Sequence, residues 1–282
     1  MASLKKISIL CVFLSATVLF AELEDLNITS SFAEDDELIL QEDVPSEVVT
    51  ATRSDIRVIE ASEDIVYISQ KMVKDYLFLF VNPKNISIKN GLEDSLLKLN
   101  DNLKIIARTT KNSDTKDLLE YLAYSKDEIA EILNQKMGEE QNSLMLDYSE
   151  TLLEGANSMV NAHQYDFTEE EKMLMITKKI EYLLSRITKY YMAKNLGFNS
   201  VENNEQMKSS IISLEENIAK INLYDYPKDI EVLRFEMNKS WKSNKVFFTK
   251  TEALFIPNLM ISAIDHLENI VAKLALYHSK NQ

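Results

Sequence analysis

The chain has 282 residues and a formal net charge of −14, and it contains only four Gly, four Pro and one Cys. So few Gly and Pro residues cannot supply the turns of a many-stranded β protein, and the composition therefore predicts long helices and an all-α fold. The negative charge argues against nucleic acid as a partner, because binding to phosphates rewards clustered Lys and Arg.

Residues 1–21 have the layout of a signal peptide. Two lysines precede an apolar run over 7–20, and Ala21 is followed by acidic residues. The run is shorter than the roughly 20 residues of a membrane-spanning helix, which favours a leader that is cleaved after Ala21. We therefore expect an exported, periplasmic protein that loses its single cysteine, Cys11, with the leader. The alternative is an uncleaved leader that anchors the chain to the membrane.

Residues 22–50 are predicted to form a disordered acidic linker. The stretch contains many Asp and Glu residues and neither Lys nor Arg. Such a segment buries too little apolar surface to fold alone. An interaction tail is the alternative interpretation.

Beyond the linker the sequence repeats itself at an offset of 115 positions. Apolar residues spaced four, three, four and three apart run from Leu92 to Ile106, and an equivalent stripe runs from Met207 to Ile221. This spacing places each stripe on one face of a helix. Segments before and after the stripes match at the same offset. Because three segments share one offset, the sequence predicts a duplicated unit.

Each copy is predicted to be an antiparallel four-helix bundle, the first at 51–165 and the second at 166–282. The predicted helices are 53–80, 90–109, 113–136, 139–164, 167–196, 203–223, 227–243 and 249–279. Breaking residues such as Gly138 and Gly197 mark the connections. Pro257 lies inside the last predicted helix and therefore either kinks that helix or marks its true start.

Two segments resemble the first helix of the PilJ/NarX-type sensor domain, which occurs at the extracytoplasmic end of pilus-linked chemotaxis transducers and nitrate sensor kinases. The segment at 62–77 reads SEDIVYISQKMVKDYL and the segment at 183–197 reads LLSRITKYYMAKNLG, and the family's helix reads roughly AGRQRMLSQRMAKxYL. The ending FIPNL at 255–259 is similar to the start of the family's last helix. The resemblance implies two tandem four-helix bundles of a kind that dimerises and passes on a ligand signal through helix shifts.

The resemblance also implies where a ligand would bind. Family ligands lie between first helices, which points to Ser69, Gln70 and Lys71 in the first copy and to Ser185 and Arg186 in the second. A basic residue at this position could bind a carboxylate or another small anion. A basic residue on a bundle helix also commonly pairs with a neighbouring Asp or Glu.

The positions of the family's nitrate-contacting Arg are occupied by Val66 and Glu181. Neither side chain can replace the paired donors of a guanidinium. Nitrate is therefore expected to bind far more weakly than it binds to a family member with the Arg, or not at all. Glu181 is expected to pair with Arg186 or to repel an incoming anion.

No arrangement of residues in the sequence indicates catalysis. His163, His266 and His278 lack metal-ligand spacing, and the sequence has neither a Gly-rich phosphate loop nor a nucleophile elbow. We predict no enzymatic activity, no cofactor and no metal. The leading hypothesis is a soluble extracytoplasmic module, with a homodimer as one expected form, that binds a small ligand or docks on a membrane chemoreceptor or sensor kinase. The alternative is a structural or adaptor bundle that binds a partner protein and no small molecule.

Overall fold

A computed structural model describes residues 52–249 and 255–282 of the chain. The predicted leader at 1–21 and the acidic linker at 22–50 lie outside the described residues. Within the described ranges every regular element is an α-helix, so the all-α fold class is confirmed. A search of these same ranges finds no helix with the length and apolar character needed to cross a membrane.

Eight helices follow one another along the described ranges. They are α1 Arg53–Val81, α2 Ile86–Thr109, α3 Ser113–Leu133, α4 Glu139–Ala162, α5 Glu169–Asn195, α6 Val201–Leu223, α7 Lys228–Thr249 and α8 Pro257–Lys280. Helix α7 continues through 244–249, where the sequence predicted a connection and the start of the last helix. Pro257 is the first residue of α8, a position at which its missing N–H costs no hydrogen bond. Of the two alternatives expected for Pro257, a kink or the true start of the helix, the structure shows the start.

Capping explains where α1 and α5 begin and where α5 ends. The Thr52 hydroxyl accepts from the backbone N–H of Asp55 at 3.1 Å, and the Asp55 carboxylate accepts from the N–H of Thr52 at 3.2 Å. Thr168 and Glu171 form the same reciprocal capping box at the start of α5. Helix α5 ends just before Gly197, whose φ of 97° is a conformation that glycine adopts without strain.

The two apolar stripes predicted from the sequence lie in the core. Leu99 of α2 and Leu214 of α6, which are 115 positions apart, are both 0% exposed. The other members of both stripes are buried as well, except Leu96, which is partly buried. Helices α2 and α6 therefore pack against their neighbours through the faces that the spacing indicated.

Helices α1–α4 form one antiparallel bundle, the first half, and α5–α8 form another, the second half. At the end of α4 the Nδ1 atom of His163 lies 2.7 Å from Asp55 at the start of α1. At the end of α8 the Nδ1 atom of His278 lies 2.6 Å from Glu170 at the start of α5. Both members of the second pair follow those of the first by 115 positions. The helix positions agree with the offset, and the duplication itself stays a prediction.

The halves pack side by side, with α1 against α5. Past the end of α1, the Asn82 amide donates to Asn258 in the first turn of α8 at 3.3 Å. Near the end of α5, the Tyr191 hydroxyl accepts at 3.0 Å from the backbone N–H that precedes α8. Closer to the starts of the two helices, Lys178 of α5 lies 3.8 Å from Asp64 of α1. Helices α1 and α5 therefore run parallel to each other.

Candidate functional site

Two buried lysines at equivalent positions reach across the contact between the halves. Lys74 of α1 lies with its Nζ 3.4 Å from Oδ1 of Asp265 on α8. Lys189 of α5 lies with its Nζ 2.5 Å from Oε1 of Glu150 on α4. Because Glu150 and Asp265 are also 115 positions apart, each half inserts its lysine into the other in the same way. Removing Glu150 would leave the buried charge of Lys189 uncompensated, whereas Lys74 also lies 3.7 Å from Glu268 and 3.9 Å from Asp75.

The surroundings of the two lysines differ in charge. Burial acts to lower the pKa of Lys74, but three neighbouring carboxylates, Glu268 foremost, outweigh it and raise the pKa above its ordinary value. Lys189 shares the carboxylate of Glu150 with Arg186, so burial dominates and lowers the pKa of Lys189 to about 8. The cluster next to α8 thus holds one lysine among three carboxylates, whereas the cluster next to α4 holds two cations around Glu150 and is the base-rich side of the interface.

The predicted ligand residues of the first half divide between the core and a groove. The Ser69 hydroxyl donates back to its own helix at 2.8 Å, and the Gln70 amide donates to the backbone oxygen of Ser149 at 3.2 Å. Both side chains are buried and hold helices in place. Lys71 instead lines a groove, and its Nζ lies 2.5 Å from Oδ2 of Asp75. Among the three, only Lys71 is placed to meet a ligand.

The predicted residues of the second half are both occupied by other side chains. The Ser185 hydroxyl donates to Oε1 of Glu268 at 2.7 Å, which joins α5 to α8. The Nη2 atom of Arg186 donates to Glu150 and to Gln206, both at 2.7 Å. Arg186 is only 6% exposed. The Nη2 atom is therefore already bound by the protein's own oxygens, whereas Nη1 is buried and has no hydrogen-bond partner within the described residues.

The predicted pairing of Glu181 with Arg186 is wrong. Residues five apart do not face each other on a helix, whereas residues three or four apart do. Glu181 accordingly lies 3.6 Å from Lys178, three positions earlier, and its side chain is buried. Burial raises the pKa of Glu181 to about 7, although the attraction of Lys178 opposes the rise.

A groove of about 650 Å³ lies where α1 and α2 of the first half meet α5 and α8 of the second, and we refer to it as the Lys71 groove. Its charged lining residues are Asp64, Lys71, Asp94, Lys98, Lys178, Glu181 and Glu268. Its other lining residues are Tyr67, Ile68, Gly91, Ser95, Asn269 and Ala272. With three cations and four carboxylates, the lining offers partners to groups of either charge.

A second groove, of about 520 Å³, lies between α1 and α2 of the first half. Arg57 and Arg108 line it together with Glu60 and Asp64. It contains none of the predicted ligand residues and does not touch the second half. A ligand there would contact one half alone, so we favour the Lys71 groove as the candidate site.

Sequence reasoning missed the carboxylates that pair with the two interface lysines. The offset already matched Lys74 with Lys189, but their partners Glu150, Asp265 and Glu268 lie on other helices, and no short-range pattern connects them. One usable signal was the recurrence of a lysine at positions 74 and 189, at the offset of the repeat. Lys74 is 1% exposed in the structure. A lysine on a buried face requires a carboxylate from elsewhere in the fold.

Two of the three histidines, His163 and His278, hold helix ends in place, whereas His266 is exposed in the middle of α8. The Nδ1 atom of His163 contacts Asp55, and its Nε2 atom lies 3.1 Å from the Thr115 hydroxyl. The Nε2 atom of His278 lies 2.7 Å from the Tyr226 hydroxyl. In the part of the chain that the structure describes, no group of His, Cys, Asp and Glu is arranged to hold a metal ion.

No family model, curated protein or solved structure matches the chain. A functional conclusion must therefore be drawn from the groove and the interface themselves.

Proposed function

We propose that the chain is an exported ligand-binding module of the sensor type, with the Lys71 groove as its site. The observation that carries this proposal is that both halves line the groove. Lys71 and Gly91 come from the first half, and Lys178, Glu181 and Glu268 come from the second. The likeness of the first helices to PilJ/NarX-type sensor domains is a separate argument for the same class.

A ligand in the Lys71 groove would contact α1 and α5 at the same time. Such a ligand binds best to one relative placement of the two helices and shifts the population toward that placement. Because Lys74 and Lys189 cross the same interface, displacing one helix along the other would change these buried ion pairs. A membrane chemoreceptor or sensor kinase docked on the module could respond to that change.

A thermal-shift screen of residues 22–282 against a library of small metabolites tests the proposal. At least one compound is expected to raise the melting temperature, since a ligand present at about 100 times its Kd stabilises the native state by roughly 2.7 kcal/mol. Lys71→Ala should remove the shift, and Lys111→Ala, an exposed lysine outside the groove, should retain it. A library without any stabilising compound would refute the proposal, as would a shift that survives Lys71→Ala.

Nitrate is expected not to be the ligand. Val66 is 2% exposed and has no polar side-chain atom, and Glu181 is a buried carboxyl beside Lys178. Neither supplies the paired N–H donors that a planar oxyanion needs. Calorimetric titration with nitrate should release no binding heat, and a micromolar dissociation constant would contradict this.

Exposed apolar side chains favour an adaptor role as the second candidate function. Leu223, Val232 and Phe235 are 86%, 55% and 68% exposed, and the last two line a groove beside α7. Large apolar groups left in water often mark a partner surface. A photo-crosslinker at position 235 should then capture a partner protein in cells, and one at Leu97, which is 63% exposed, should not. The adaptor role also requires that no small molecule shifts the melting temperature.

A further inference from the structure

Lys71 and Arg186, which are 115 positions apart, differ in what fills the space beside them. In the second half, Gln206 places its amide oxygen 2.7 Å from Arg186, next to the carboxylate of Glu150. In the first half the position 115 residues earlier is Gly91, which has no side chain. A Cβ atom at Gly91 would lie 3.8 Å from the Nζ of Lys71. The place of the Gln206 amide is therefore open to the Lys71 groove.

The part of the groove contributed by the second half is acidic. Glu181 and Glu268 from α5 and α8 line it with side chains that are 9% and 11% exposed. Glu268 accepts hydrogen bonds from Ser185 at 2.7 Å and from Tyr67 at 3.3 Å. Glu181 has one ion pair, to Lys178 at 3.6 Å. These carboxylates would repel an anion and would attract an ammonium group.

We infer that the Lys71 groove binds a small zwitterion of the α-amino-acid class. This inference rests on the proposed function and names the class of its ligand. The ligand carboxylate lies beside Lys71 and the exposed Lys98, in the space that Gln206 fills in the other half. The ligand ammonium faces Glu181 and Asp64. In the structure Lys71 is paired with Asp75 and Glu181 with Lys178. A zwitterion can compete for a cation and a carboxylate of the groove at once, whereas a simple anion or amine competes for only one of them.

The state of Glu181 makes the binding sensitive to pH. The charged groups around it are Lys178 on its own helix, Asp64 on α1 and Glu268 on α8, and burial raises the pKa of Glu181 to about 7. An ammonium group is attracted to the ionised carboxylate and not to the neutral acid. The affinity for an amino acid should therefore rise as the pH increases from 6 to 8.

Calorimetry on residues 22–282 at pH 8 tests the ligand class. The probes are the twenty L-α-amino acids, and for each the carboxylic acid without its amine and the amine without its carboxylate. At least one amino acid is expected to bind, with both matched analogues weaker by roughly tenfold or more, because each analogue can bind only one of the two kinds of charged group in the groove. If a matched carboxylic acid or amine binds as tightly as its amino acid, or if no amino acid binds, the inference is overturned.

Gly91→Gln provides the variant that tests the location. It supplies the side chain that position 206 has in the second half, on a helix that tolerates Gln better than Gly. The variant should keep the melting temperature of the wild type and lose amino-acid binding, and Leu97→Gln on the same helix should bind normally. Binding that persists in Gly91→Gln refutes both the groove and the proposed function. Binding of carboxylic acids alone that Gly91→Gln abolishes refutes only the zwitterion.

Discussion

Glu150 is the residue on which the base-rich side of the interface depends. Burial acts to raise its pKa, but the attraction of Lys189 and Arg186 outweighs burial and keeps the pKa below its ordinary value. Glu150→Gln would leave two buried cations beside a neutral group, so we expect the free energy of unfolding to fall by about 3 kcal/mol. Urea unfolding at pH 7 measures this. Asp265→Asn is the matched control and should cost less, since Lys74 keeps two other carboxylates; equal losses would contradict the difference between the two clusters.

Glu181 is expected to make the protein less stable as the pH rises. Its pKa is raised from 4.5 to about 7, so between these values the folded state holds a proton that the unfolded state has lost. Stability therefore falls with increasing pH across this interval. Glu181→Gln removes the effect, and the variant should melt higher than the wild type at pH 8 and close to it at pH 4.5. A difference in melting temperature that does not change with pH would show that Glu181 is not buried in this way.

At the residue scale the sequence predicted the cations better than their partners. Lys71 and Arg186 were identified from the repeat and the family resemblance, and both lie at the contact between the halves. Their partners were not predictable, because Gln206 and Glu150 belong to other helices, and only the packed fold decides which oxygen meets which cation. Helical spacing favours Lys178, three positions before Glu181, over Arg186, five positions after it, and the structure contains the pair with Lys178.

At the scale of the helix, the cores of α2 and α6 should respond alike to truncation. Leu99 and Leu214 are both 0% exposed, so Leu→Ala at either position removes buried methyl groups and leaves a cavity. Each substitution should lower the free energy of unfolding by about 2–5 kcal/mol. Leu97→Ala and Ile212→Ala, at exposed positions of the same two helices, should change it by less than about 0.5 kcal/mol. A large loss at only one of the two core positions would contradict equivalent packing.

Most helix boundaries followed from local signals, because capping residues and breakers act within a few positions of the helix end. Gly138 and Gly197 lie next to the helix ends that they were expected to mark, and Thr52 caps the predicted start of α1. The end of α7 was placed too early, since 244–249 contain no breaker and Phe248 is buried at the end of the helix. Tertiary packing therefore extends this helix beyond what its local sequence indicates.

At the scale of the molecule, the halves carry opposite charges where α1 and α5 meet. Glu63 and Asp64 of α1 occupy the positions equivalent to Lys178 and Lys179 of α5. The ammonium of Lys178 lies 3.8 Å from Asp64, and both lysines attract the carboxylate of Glu63, whose pKa burial nevertheless raises to about 7. Two copies of one half would place like charges together at this point. The charge pattern thus favours the contact of unlike halves.

Charge reversal tests this complementarity in the full chain. Lys178→Glu with Lys179→Glu should lower the melting temperature at pH 8, and so should Glu63→Lys with Asp64→Lys. Combining all four substitutions restores opposite charges and should recover most of the loss, which is a coupling that independent sites do not show. Purely additive losses in differential scanning fluorimetry would mean that these residues do not interact across the interface.

The sideways arrangement of the halves was beyond the reach of the sequence. Apolar periodicity specifies which face of each helix is buried, and it assigns Leu99 and Leu214 to cores without specifying how two bundles contact each other. That contact depends on α1 and α5, where the charged side chains Lys74 and Lys189 are buried and contact carboxylates of the opposite half, Asp265 and Glu268 for Lys74 and Glu150 for Lys189. Long-range ion pairs of this kind have no signature in a single sequence.

The presence of Gly91 in one half and Gln206 in the other has a consequence for stoichiometry. In a symmetric homodimer every substitution occurs twice, so its two sites remain identical. Two halves joined in one polypeptide are free of that constraint, and here one cation is enclosed by the protein while the other faces a groove. A titration of the chain should therefore saturate at a single ligand per molecule with a Hill coefficient of one, and any cooperativity would have to come from contacts between separate chains.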